Sequence, residues 1–268
     1  EISPETGEFI DFMIDHELMD LQNKPGKAST GYMTSLPSLK APFVFSCFNH
    51  TIFDMQVLTH ELGHAFAGYM AMRSQPISDY YSESTDIAEI HSMSMEQFAY
   101  PYAEWFFGDQ ADKFRFAHLQ EALTFVPFGV AVDEFQHICY AHPELTPKER
   151  TYQWHLLEEK YMPWRRYDND PFLERGGYWY HKLHIYLYPF YYINYTLTTM
   201  GAMEFKKKYA EDKQAAWQDY LNLCKTGGSR SYLETLRYAN LSNPFEAGSV
   251  ERACGYAEKL LLEQLADR

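Results

Sequence analysis

Cysteine is scarce and scattered. Cys47, Cys139, Cys224 and Cys254 form no CxxC pair, which argues against a thiolate metal site and a disulfide framework and fits a reducing, cytoplasmic setting. Long apolar runs are also missing. The longest, Ala122 to Val132, has 11 residues with Pro127 inside it, well short of the roughly 20 that a membrane-spanning helix needs, so no membrane partner is expected. Basic charge is in deficit: 23 Lys plus Arg stand against 37 Asp plus Glu, a net charge of −14. Such a chain repels phosphate backbones and anionic lipid unless a local basic patch compensates. The densest basic run, Lys206-Lys207-Lys208, is flanked by Glu204 and Glu211 and reads as a solvated helix face, so nucleic acid is not an expected partner. The opening Glu1-Ile2-Ser3-Pro4 has no initiator Met and no charged segment leading into an apolar one, and a fragment of a longer chain is expected.

What is present is a helical pattern with enough apolar content, 46% hydrophobic and 17% aromatic over 268 residues, for one sizeable core. Phe9, Phe12, Met13, His16 and Met19 recur at spacings of three or four, which predicts a helical face across 8–21. Gly26 to Pro37 reads as turn-rich. Ala41 to Asn49 is the one convincing strand, bounded by Pro and Asn. Helices are expected over 52–72, 83–105, 110–124, 128–141, 147–160, 178–209, 212–224, 230–239 and 248–265. With no repeat or linker, a single, mainly α catalytic domain over 1–268 is the economical reading.

The chemistry begins at His60-Glu61-Leu62-Gly63-His64. Helical positions four apart share a face, so His60 and His64 can direct imidazole nitrogens at one ion. Glu61 lies about 100° round the helix from His60, off the ligand face but suited to take a proton from a water that the ion activates. Val57, Leu58, Leu62, Ala65, Phe66 and Tyr69 would bury this helix, where two unpaired histidines and a glutamate are costly without a metal or strong hydrogen bonds. A catalytic zinc needs a third protein ligand and an open position. The segment Ser82 to Glu96 opens polar and acidic, as a helix start does, and runs into Ile87, Ile90 and Met93. Glu89, one turn in, is the expected third ligand. Glu83 and Asp86 suit the first turn, where the helix dipole favours acid. Glu96, two turns beyond Glu89 on the same face, suits a hydrogen bond to a metal histidine. His91 faces away from Glu89 and is expected in the core or at the surface.

At these residues the chain resembles the oligoendopeptidase F branch of the thimet oligopeptidase-like zinc metallopeptidases. The resemblance rests on the His-Glu-x-x-His pair, on Glu89 25 residues after His64, and above all on Glu-x-x-Ser-x-x-x-Glu at 89, 92 and 96. It extends to Gly26-Lys27-Ala28 before Gly31-Tyr32, Pro42-Phe43-Val44-Phe45 before Phe48-Asn49, Pro189 to Tyr195, Gly227-Gly228-Ser229 and Asn243-Pro244-Phe245-Glu246, nearly the whole chain. It implies a zincin-like, mostly helical fold with a small β element near the metal helix, one zinc ion, and cleavage of short peptides in a deep channel. Two positions depart from the family pattern: Met33 stands where a cysteine is expected, and His50 where a glycine usually follows Asn49. The long helical N-terminal region of family members is absent from the sequence.

Hydrolysis of a peptide also needs a donor for the developing oxyanion. Positions 181, 184, 188, 191 and 195, within Tyr178 to Tyr195, are spaced by three and four, and one helix would show them as a stripe of two imidazoles and three phenols. Most tyrosines merely pack with the hydroxyl bonded. The resemblance implies a histidine and tyrosines here as donors, with Tyr195 first, then Tyr188 and His184, and Tyr191 or Tyr192 behind them. Residues 42–48 are expected either to offer a free strand edge to an extended peptide or merely to cover the core. Gly227-Gly228-Ser229 reads either as a contact loop or as a helix-ending turn. The expected activity is a zinc endopeptidase acting on short peptides with Glu61 as general base. A related carboxypeptidase or dipeptidase, or a zinc-holding module without turnover, are the alternatives.

Overall fold

Ser3 accepts a hydrogen bond from Thr6 N–H (3.2 Å) and Pro4 occupies the first helical position, so the first helix, α1 (Pro4–Asp15), starts early. It also ends early. Glu17 adopts a left-handed φ of 53°, and Met19, expected on the helix, belongs instead to a strand, β1 (Met19–Gln22). The computed structural model describes residues 2–266. The order continues with β2 (Tyr32–Leu36), β3 (Ala41–Phe48), α2 (Ile52–Ser74), α3 (Thr85–Ala99), α4 (Ala103–Phe107), α5 (Ala111–Ala141), α6 (Pro147–Tyr161), α7 (Leu183–Leu187), α8 (Ile193–Glu211), α9 (Lys213–Thr226), α10 (Tyr232–Tyr238) and α11 (Ser249–Ala266). The fold is mainly α with one small sheet, as expected. No helix among the described residues is long and apolar enough to cross a membrane.

The sheet corrects the expectation of a single strand with a free edge. Its order is β1-β3-β2, with β1 parallel and β2 antiparallel to β3. Residues 42–48 therefore lie in the central strand, paired on both sides, and the free edges belong to β1 and β2. Ala41, Val44 and Ser46 are buried, which agrees with a strand enclosed between neighbours.

Proline accounts for two departures among the helices and fails to make a third. Pro101 ends α3, and a 3₁₀ turn over Tyr100–Tyr102 separates it from the short α4. Pro189 disfavours helical conformation at Tyr188, and Phe190 turns left-handed at φ 61°. The expected helix 178–209 is thus three pieces: a 3₁₀ turn over Gly177–His181, then α7, then α8. Pro127, by contrast, sits inside an unbroken α5. Val126 and Phe128 beside it are buried, and that burial offsets the lost backbone donor.

Two compact units result, a smaller one over Gln120–Leu197 and a larger one made from the chain on either side of it. In the larger unit α2 packs on α3, α9 and the sheet around Phe9, Phe66, Phe98, Phe205 and Tyr220, all nearly inaccessible. The smaller unit has its own core of Phe128, Phe135, Trp154, Trp179 and Tyr192.

The lysine run is not a solvated face. Lys206 is 6% exposed, its ammonium 3.2 Å from the centre of the Tyr100 ring, and burial, helped by nearby Arg115, pushes its pKa down to about 7. Lys208 pairs with Asp219 at 2.7 Å.

Candidate metal centre

The corner that leads into α2 is tied by one carboxylate. Asp54 accepts the backbone N–H groups of Asn49 (3.1 Å), His50 (2.6 Å) and Thr51 (3.2 Å), holding the end of β3 against the start of α2. His50 is left-handed there, with φ 65°, the conformation that favours the glycine expected at this position.

α2 and α3 cross at Gly63. A Cβ at this residue would lie 2.6 Å from Ser92 Cα and 2.8 Å from the His91 carbonyl oxygen, so the missing side chain is what lets the two backbones meet. Behind the crossing, His91 is buried, its Nδ1 3.2 Å from Glu83, and its carbonyl accepts from the Tyr220 hydroxyl at 2.9 Å. Glu83 precedes α3 and is not in its first turn. Gly227 and Gly228 pack against the segment before α3: Gly227 has φ 48° and ends α9, and Gly228 N–H donates to the Tyr80 carbonyl at 3.1 Å. Gly227 therefore makes the helix-ending turn.

The close crossing brings His60, His64 and Glu89 together, with one ligand atom from each within 4.8 Å of the others. Glu89 Oε2 is 3.1 Å from His60 Nε2 and 3.4 Å from His64 Nε2. Donor atoms about 2.0–2.1 Å from a tetrahedral ion are about 3.3 Å apart, so the spacing suits a small divalent cation. Ser92 Oγ donates to Glu89 Oε2 at 3.1 Å, which gives the serine of the Glu-x-x-Ser pattern a physical task. Glu96 Oε1 lies 2.7 Å from His60 Nδ1. That contact keeps a proton on Nδ1 and leaves Nε2 to face Glu89.

The electrostatics are those of an anionic site. Burial opposes charge on His60, but its hydrogen bonds to Glu89 and Glu96 outweigh burial and raise its pKa to about 10. The same contacts hold Glu89 and Glu96 below the usual carboxylate range against burial. Glu61 goes the other way. Burial raises its pKa, His60 and His64 oppose the rise, and the Met33 backbone N–H also favours the anion.

His60 couples the stability of the metal-free site to pH. Its folded pKa lies above the ordinary 6.5, so in metal-free protein this bridge contributes stability fully below about pH 6.5 and loses it as pH climbs through about 10. An entering cation must expel that proton. Zinc uptake at pH 8 should release about one proton per ion, measurable by calorimetry in buffers of different ionisation enthalpy. Uptake with no net proton release would contradict the bridge.

The sequence missed His118. Its Nε2 lies 2.7 Å from the second oxygen of Glu96, so one carboxylate serves two imidazoles. Nothing in the local pattern around residue 118 announces this.

The expected donor set lies in the smaller unit. His181 is exposed and outside the group, and no single helical stripe forms. Instead the rings of Tyr188, Tyr191, Tyr192 and Tyr195 gather round His184 at centroid distances of 6.3, 6.1, 5.2 and 5.9 Å. Tyr192 is buried, which pushes its pKa up to about 12, and burial together with Lys182 lowers that of His184. Tyr188 is 57% exposed.

A histidine pair on one helix and a glutamate on the next, beside a small mixed sheet, define a zincin-like helical fold. The chain belongs to peptidase family M3, whose family model matches residues 9–255. It is similar to the oligoendopeptidase F homolog of Borreliella burgdorferi, 25% identical over 84% of this chain and 38% of the relative, and to oligopeptidase PepF of Bacillus subtilis, 22% identical over 93% and 37%. Among solved structures it resembles PZ peptidase A, determined with an inhibitor, at 50% identity and a TM-score of 0.88 over 98% of this chain and 46% of that one. The chain thus spans less than half the length of each.

Proposed function

We propose that this chain is the catalytic part of a zinc-dependent endopeptidase that cleaves internal bonds of short oligopeptides, with residues 1–268 acting as one catalytic domain. The observation that carries the reading is the convergence of His60, His64 and Glu89, with Glu96 fixing His60 from behind. Membership in family M3 and the names of the relatives support peptide substrates. A bound zinc supplies Lewis acidity toward a water and the scissile carbonyl.

Glu61 is the general base: buried beside the triad yet outside it, it takes the proton of the attacking water and hands it to the leaving amine. Tyr195 is assigned as oxyanion donor, with His184 and Tyr188 in support. Their gathering round one imidazole, and a His184 pKa lowered so that the ring stays neutral, favour hydrogen bonding over charge. The free edge of β2, whose Met33 amide already reaches Glu61, replaces residues 42–48 as the edge offered to an extended substrate.

Zinc-loaded protein assayed on a peptide blocked at both termini tests the whole reading. Internal cleavage supports it. Activity only on peptides with a free end indicates the carboxypeptidase or dipeptidase alternative, and stoichiometric zinc without cleavage indicates a binding module.

A further inference from the structure

Behind the metal histidine is a residue that touches no ligand atom and that the proposed chemistry does not use. His118, on α5, is 7% exposed and lies against two rings: nearly parallel to Phe114 at 5.4 Å between centroids, and tilted on Tyr100 at 6.1 Å. Its Nε2 is 2.7 Å from Glu96 Oε2, and the other oxygen of that carboxylate is 2.7 Å from His60 Nδ1.

The proton positions follow. Glu96 is an anion in these contacts and accepts from both rings, so His118 carries its proton on Nε2. His118 Nδ1 is buried and makes no hydrogen bond. A second N–H at that nitrogen would be a buried donor without an acceptor, which costs more than a bare lone pair. The tautomer with its N–H on Nε2 and a bare Nδ1 is the one that fits these contacts. Without it, Glu96 would keep one oxygen facing the core unbonded and would be free to rotate away from His60.

From this geometry we infer that His118 is a positioning residue for the metal centre: by fixing Glu96 through Nε2–H, it sets the tautomer and aim of His60 and so strengthens the hold on the cation. This rests on the metal reading above and extends it one residue outward. Hydrogen-bond partners of metal ligands typically contribute 10–100-fold to affinity, and His118 acts on the carboxylate that performs that task.

The test is zinc affinity, measured by competition with a chromophoric chelator on the protein and two variants. H118F keeps a flat ring between Phe114 and Tyr100 and removes the donor. H118Q places an amide N–H close to where Nε2 stood. H118F should bind zinc about tenfold or more weakly, and H118Q should recover a large part of the loss. Equal weakening in both variants would show that ring packing, and not the donor, matters, and would overturn the inference, as would native affinity in H118F. If H118F loses cooperative unfolding, the wild-type protein decides by ¹H–¹⁵N spectra of its imidazoles. The Nε2–H signal of His118 should move on zinc addition although His118 is no ligand, and a stationary signal overturns the proposal. Wild-type protein that takes up no zinc refutes the metal reading and this inference with it. Uptake by wild type matched by H118F refutes the inference alone.

Discussion

Glu61→Gln should bind zinc within a few-fold of wild type and lose between about 10² and 10⁴ of its turnover on a blocked peptide. The two halves of that expectation come from different parts of the site. Zinc retention follows from the triad, which consists of His60, His64 and Glu89 without Glu61. The loss of turnover follows from chemistry: the amide has nearly the shape of the carboxyl and still accepts from the Met33 amide, but it cannot take up a proton. Burial raises the Glu61 pKa in the metal-free protein, and in the loaded protein rate should be gained with rising pH as Glu61 deprotonates, because only the carboxylate accepts the water's proton. Stopped-flow or fluorescence-quench assays on zinc-loaded protein read both effects. A variant that cleaves at the native rate while holding zinc would remove Glu61 from the role of base.

The parts of the site that were legible in the sequence are those encoded locally. His60 and His64 share a face because they are four apart. Glu89, Ser92 and Glu96 lie on one side of α3 at spacings of three and four, and the structure gives each a contact there. His118 was illegible because its partner sits on another helix and both residues look ordinary in their own segments. The tyrosines misled for a related reason. Their three-and-four spacing runs straight through Pro189, where α7 and α8 are separate, whereas Pro127 leaves α5 unbroken, so neither periodicity nor proline alone locates the break.

Short strands were lost in the same way. Met19 to Gln22 alternates apolar and polar over only four residues beside a helical pattern, Tyr32 to Leu36 does not alternate in hydropathy, and both become strands because β3 pairs with them. The enclosed position of β3 is readable in its largely apolar run, interrupted only by Ser46, which suits a strand flanked on both sides better than an edge. Lys206 failed for want of a tertiary partner: three adjacent lysines look solvated until the Tyr100 ring covers one of them.

The second large effect concerns a residue with no chemistry of its own. Gly63→Ala adds one methyl group at the α2–α3 crossing, 2.6 Å from Ser92 Cα, 2.8 Å from the His91 carbonyl oxygen and 2.9 Å from Met95 Cβ. None of these atoms is the far end of a flexible side chain, so the helices themselves must separate. Overpacking of this kind typically costs about 1–3 kcal/mol and occasionally more. Separation also acts on the metal. Ser92 and Glu89 lie on the same face of α3, and Glu89 has to reach across the crossing to both histidines of α2. Zinc affinity should therefore fall by roughly tenfold or more even where the variant stays folded, since each 1.4 kcal/mol of lost contact is a factor of ten. Gly68→Ala, on the same helix, is the matched control. Its added Cβ would find nothing nearer than 3.6 Å, and the gain in helix propensity of up to about 1 kcal/mol should leave the protein as stable as before or more so. Thermal unfolding and chelator competition on the two variants give the comparison directly. If alanine at 63 is tolerated as well as alanine at 68, the close crossing is not what brings Glu89 to the histidines.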